Sequence, residues 1–211
     1  MRLSHILTTE EQYRAILRNH LPAGAVDWAY HYFDLHKVHF HITRRRTSKL
    51  GDYRWPRDGH PYHEISVNGD LAPHLFLWVL LHEAAHLENR LHHPEAQPHG
   101  HEWQKEYRRL LSTHIALFPP DTQPLIARLT RRIPLNHSLM HQVEDLLRRG
   151  GTGHAGITFL DDLPAGSRFR LPSHPDLLFV SISRRRTRWL CRELASGRSY
   201  TVNASAEVLP E

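Results

Sequence analysis

A single cysteine, Cys191, stands in a chain of 211 residues. It excludes any intrachain disulfide and any structural zinc knuckle built on paired cysteines. Long apolar runs are missing too. The longest, Leu75 to Leu81, falls far short of the roughly 20 residues needed to cross a bilayer. Met1 to Thr8 holds too short an apolar stretch for an export signal. One thiol and no such signal predict a cytoplasmic protein with no membrane partner. Acidic residues are the minority, 22 Asp and Glu against 27 Lys and Arg, for a formal net charge of +5. A basic excess of this kind attracts polyanions, although charged runs most often coat solvated faces.

Histidine, by contrast, is abundant at 20 residues. Two of them belong to His82-Glu83-Ala84-Ala85-His86, which closes the apolar run. A helix over Leu75 to Leu91 sets both imidazoles on one face, a turn apart. That spacing suits two ligands of one tetrahedral zinc, with Glu83 beside the metal to handle a proton. The chemistry named by the pattern is zinc-assisted attack of water on a peptide bond. The run Leu75-Phe76-Leu77-Trp78-Val79-Leu80-Leu81 is hydrophobic nearly all round, as a buried helix reads. Asp70 is a candidate N-cap, Pro73 suits the first turn, and small Ala84 and Ala85 allow a close neighbour.

A catalytic zinc takes three protein ligands and keeps one position open. The residues offer two candidates for the third. His92 completes His-Glu-x-x-His-x-x-Asn-x-x-His, near the metzincin pattern, with Asn89 in the glycine position. Ser138-Leu139-Met140-His141 would then stand as a Met-turn, although Leu139, Met140, Val143, Leu146 and Leu147 recur at helical spacing. His101 follows Gly100 in Pro98-His99-Gly100-His101-Glu102-Trp103, at the start of another helix.

Several segments in order resemble the SprT-like family of zinc metallopeptidases, the group that includes the Spartan proteases. They are Val38-His39-Phe40-His41-Ile42-Thr43, Leu50-Gly51-Asp52-Tyr53-Arg54, Glu64-Ile65-Ser66-Val67-Asn68, the HEAAH helix and the HGHEW segment. The match spans about residues 25 to 115. The resemblance implies His82, His86 and His101 as zinc ligands and Glu83 as the catalytic carboxylate. It also implies protein substrates attached to DNA. Many members carry a C-terminal zinc ribbon, which a lone cysteine forbids here.

Along the chain, Thr8-Thr9-Glu10-Glu11 opens a capped helix ending near Pro22. Asp27 to Lys37 forms a second, with Trp28, Tyr32 and Leu35 turned to the core. Residues 51 to 62 read as an irregular loop. By analogy with zincin-type folds, the strand of Ile65-Ser66-Val67 is the expected edge for an extended substrate. Glu102 to Phe118, Gln123 to Ile133 and Ser138 to Arg149 read as helices. Residues 150–156 are a Gly-rich linker. Their formal GxGxxG follows a helix and opens none, so no dinucleotide site is expected. Beyond it, 157–160, 167–171, 177–183, 188–194 and 199–202 read as short strands, with Ser196-Gly197-Arg198 as a hairpin turn.

The expected fold is α+β: a zincin-like metalloprotease domain over 1–149, the linker, and a small antiparallel β module over 157–211. Arg44, Arg45 and Arg46, with Arg184, Arg185, Arg186 and Trp189, are candidate nucleic-acid contacts. The leading function is a zinc-dependent endopeptidase acting on a protein substrate, with DNA as a further partner. The alternatives are a nucleic-acid-binding module with a structural zinc, and a secreted metzincin-like protease using His92. No residue pattern sets an oligomeric state.

Overall fold

The structure is a computed structural model and describes residues 2–3, 9–46, 48–57, 59, 61–150, 158–185 and 188–211. The chain divides into two compact units, Met1–Gly153 and His154–Glu211. The first is an α+β region with a small mixed sheet, and the second is all β. Apart from Gly150, the Gly-rich linker and its GxGxxG lie outside the described residues.

Strand β1 (Arg2–Leu3) precedes helix α1 (Glu10–Arg18). A capping box starts α1: the Thr9 hydroxyl accepts from the Gln12 backbone N–H, and the Gln12 carboxamide accepts from the Thr9 N–H. Helix α2 (Val26–Leu35) buries Val26, Ala29, Tyr32 and Phe33. Leu35, expected in the core, is 74% exposed, because the buried stripe follows 26, 29, 32 and 33 and the helix ends before the next turn.

The first sheet contains β2 (Val38–Thr43), β3 (Gly51–Arg54) and β4 (His63–Asn68), in the order β1-β2-β4-β3. β2 runs parallel to β4, with Phe40 opposite Ile65, and β3 pairs antiparallel to β4, with Tyr53 opposite Ile65. Two expectations change here. Residues 51–54 are a strand within the segment expected to be irregular. β4 is paired on both sides, so β3 is the edge strand and the substrate edge cannot be β4. The signal for β3 was masked by Gly51, Asp52 and Arg54, poor strand formers that suit a short polar edge.

Helix α3 (Pro73–His92) is buried along Leu75–Leu81 and packs against the alternating apolar positions Phe40, Ile65 and Val67 within one core. Its N-cap is Ala72 without a side-chain cap, not Asp70. Pro73 at the first helical position needs no N–H partner there. Helices α4 (His101–Thr113), α5 (Gln123–Leu129) and α6 (His137–Arg149) complete the unit. Met140 lies within α6, so no Met-turn exists at that position.

The second unit is a sheet in the order β5-β10-β6-β7-β8-β9. Its strands are β5 (Thr158–Phe159), β6 (Arg168–Leu171), β7 (His174–Arg184), β8 (Arg188–Glu193), β9 (Ser199–Asn203) and β10 (Glu207–Pro210). Leu160, Phe169, Phe179, Trp189, Cys191 and Val208 form its core. Gly197, at φ +69°, takes the turn between β8 and β9. β10 was not anticipated, since Glu207 and Pro210 obscure its alternation.

Leu80, fully buried in the middle of α3, tests this core. Leu80→Ala is expected to cost about 3 kcal/mol in urea unfolding, by lost transfer energy and cavity formation.

Candidate metal centre

His82 and His86 stand one turn apart on α3, with ring centroids 5.1 Å apart. The third ring belongs to His99. Its Nε2 lies 3.1 Å from Nε2 of His82 and 3.1 Å from Nε2 of His86. His99 adopts a left-handed backbone at φ 59°, a conformation uncommon outside glycine and concentrated at functional sites. Its carbonyl accepts from the Gln104 carboxamide at 3.1 Å, and the Gln104 side-chain oxygen accepts from the Leu135 N–H at 2.8 Å. The loop that carries His99 is therefore tied to α4 and to the chain ahead of α6.

His101, expected as the third ligand, is not in this group. It is the exposed first residue of α4, with Gly100 as the N-cap. Two histidines flank Gly100, and only the one before it stays off the helix, free to turn its ring toward α3. That was the available signal. His92 also stands apart, beside Glu106 at 3.3 Å and Glu88 at 3.9 Å. Arg109 reaches both carboxylates, at 2.8 and 3.2 Å, so this second cluster draws a cation from α4 and joins α3 to α4.

The donor set fits a zinc ion. Tetrahedral ligation at about 2.0–2.1 Å places ligand nitrogens roughly 3.3 Å apart. The His99 nitrogen is equidistant from two others, yet an imidazole nitrogen carries at most one proton and satisfies one neighbour only. A cation satisfies all three. Burial, and then the neighbouring imidazoles, lower the His82 pKa to about 3; burial, and then His99, lower that of His86 to about 4. The rings are thus held neutral, the form that ligates. Trp103 packs against all three, at centroid distances of 4.7, 5.2 and 4.6 Å. Among the described residues no fourth side chain joins the group.

The SprT-like family pattern matches residues 21–124. Those residues are an SprT-like domain. No curated protein and no solved structure matches the chain. The histidines and Glu83 form a metal-binding-competent cluster typical of zincin metalloproteases, and all lie within the matched span. Among the described residues no helix is long and apolar enough to cross a membrane.

Glu83 is only 6% exposed. Burial, and then the charge of Asp52, push its carboxyl up to about 8, with Arg46 and Lys49 opposing. A dication bound at the adjacent histidines would favour the carboxylate again. Room for Glu83 comes from β3: a Cβ on Gly51 would stand 2.5 Å from Oε1 of Glu83. The SprT-like domain thus sets its carboxylate against the backbone of its own edge strand. The histidines and Glu83 open on a cleft of about 450 Å³, walled by Tyr53, Trp55 and Arg90.

The candidate nucleic-acid residues divide by environment. Arg46 donates from Nε to the Asn68 carboxamide at 2.8 Å and from a terminal nitrogen to Ser66 Oγ at 3.1 Å, pinning the β2–β3 connection to β4. In the β module, Arg184 donates to Asp161 at 2.7 and 3.0 Å, and the buried Trp189 indole N–H donates to the same carboxylate at 2.8 Å. Arg44, Arg45 and Arg185 are exposed, with Arg45 3.6 Å from Asp70. Arg186 lies outside the described residues.

Zinc content separates the two flanking histidines. His99→Ala is expected to lower zinc affinity at least about 100-fold, by analogy with ligand-supporting substitutions, whereas His101→Ala keeps one zinc per chain by atomic absorption. A second expectation concerns the metal-free chain. The lowered His82 and His86 pKa values mean the unfolded chain binds more protons between about pH 4 and 6.5, so these groups make stability rise with pH there. The raised Glu83 pKa acts oppositely between about pH 4.5 and 8. In metal-free Glu83→Gln that opposition is gone. Its melting temperature is expected to fall as pH drops from about 6.5 to 4, as scanning calorimetry would show.

Proposed function

We propose that this chain is a zinc-dependent endopeptidase in which Glu83 moves the proton. The observation that carries the reading is the convergence of His82, His86 and His99 beside a buried carboxylate, at the wall of an open cleft. Zinc held there would acidify a water and polarise a scissile carbonyl. Glu83 accepts the proton of the attacking water and delivers it to the departing amine. β3, with no strand on its outer side among the described residues, offers backbone donors and acceptors to an extended peptide. The neutral imidazoles supply ligand nitrogens without competing for that proton.

A closed, structural zinc would need a fourth ligand, and the described residues bring none to the group. Within the reading, the narrower substrate is protein attached to DNA. The net charge of +5 and the exposed Arg44, Arg45 and Arg185 support it. A cytoplasmic site of action accords with the free, buried Cys191, whose folded state needs no oxidising compartment.

Purified protein incubated with zinc and an unfolded protein, alone or crosslinked to single- or double-stranded DNA, tests both levels. Cleavage is expected to vanish with a chelator and to drop about 10²–10⁴-fold in Glu83→Gln, while that variant retains one zinc. Wild-type rates in Glu83→Gln would remove the carboxylate from its role. Equal cleavage with and without DNA would remove the narrower substrate.

A further inference from the structure

We propose that the cleft contains an anion subsite, built on Arg90 and Trp55, that selects substrates carrying an acidic side chain near the scissile bond. This rests on the peptidase reading and narrows its substrate class.

Arg90 stands on α3 one turn beyond His86, on the helical row of the metal ligands. Its guanidinium carbon lies 5.1 Å from the centroid of the Trp55 ring, and one nitrogen donates to the Pro94 carbonyl. These two contacts orient the guanidinium and engage one of its five donors. No described carboxylate pairs with it. The acidic groups of the same wall are committed elsewhere. Asp52 is held by Lys49 at 2.8 Å and by Arg54 at 3.0 Å, and Glu83 lies against Gly51 beside the metal ligands. Among the described residues lining the cleft, Arg90 is the one Lys or Arg.

Trp55 is 52% exposed, a large apolar surface left in water. It borders both the metal cleft and a smaller hollow walled by Arg54 and Arg57. A planar guanidinium already fixed on an indole matches a carboxylate with two parallel N–H bonds and little further ordering. The aliphatic stem of a glutamate would cover part of the indole. A nucleobase is a poorer occupant, because Arg90 already takes one face of Trp55 where a base would stack. The subsite also opens into the cleft that holds Glu83, so its occupant belongs to the chain being cleaved.

Arg90 also ties the loop carrying His99 to Trp55, so a clamp role must be told apart from a recognition role. Take a peptide that the zinc-loaded full chain cleaves, and place Glu, Gln or Lys at each position flanking the scissile bond. The expected result is a Glu-over-Gln preference in kcat/KM of about tenfold or more at one position. That ratio should approach one in Arg90→Gln and turn toward Lys in Arg90→Glu. Wild-type protein that cleaves Glu and Gln peptides equally overturns the proposal without recourse to any variant. A Glu preference that survives in Arg90→Gln overturns it as well. Zinc content of each variant identifies a clamp: zinc lost on substitution, with no Glu preference in the wild type.

Failure of the peptidase reading looks different, since no peptide would be cleaved. The subsite is then read by calorimetry on Glu83→Gln, where the Glu peptide should bind tighter than its Gln twin. A single-stranded oligonucleotide that binds through Arg90 while acidic peptides do not would also overturn the proposal.

Discussion

The meeting of three imidazole nitrogens is the constraint on which the rest of the first unit depends. Two come from one rigid helix at fixed spacing, and the third comes from a loop whose geometry must be enforced. The enforcement is visible. His99 sits in a left-handed conformation, its carbonyl is held by Gln104, and Trp103 fills the space behind the rings. α3 can act as the fixed side only because its apolar run is buried on nearly every face against the sheet and the other helices. The core is thus what turns a short sequence motif into a positioned donor set.

Burial does two opposed things at this site. It keeps His82 and His86 neutral, which a metal rewards, and it raises Glu83 toward its protonated form, which a metal reverses. A loaded state would therefore differ from the empty one in the protonation of Glu83 as well as in charge. The second polar cluster lies around Glu88 and Glu106, with His92 beside them. Arg109 completes it within the protein, and it serves to hold α3 against α4. Similar residue types thus have different fates, decided by whether a cation is built in.

Much of this was legible in the residues, for reasons that differ by element. The capping box at Thr9, the alternation in Val38 to Thr43 and the apolar run into HEAAH each carry a strong local signal. β3 carried none, since Gly51, Asp52 and Arg54 read as loop, and its pairing with β4 is a tertiary fact. That omission displaced the sheet edge by one strand. The third imidazole was misjudged by two positions because two histidines flank Gly100, and the backbone conformation of the first is not a matter of composition. Likewise, Arg46, Arg184 and Trp189 looked available as a basic surface. Their acceptors, Asn68 and Asp161, lie about 22 to 28 residues away in sequence, beyond the reach of any local pattern.

Gly51 joins these threads. Its missing side chain lets the backbone of the edge strand lie directly against the Glu83 carboxyl group. No side chain stands between that strand and the carboxyl group at this position. A peptide paired along the outer rim of that strand, as proposed above, would lie one backbone width from the acid.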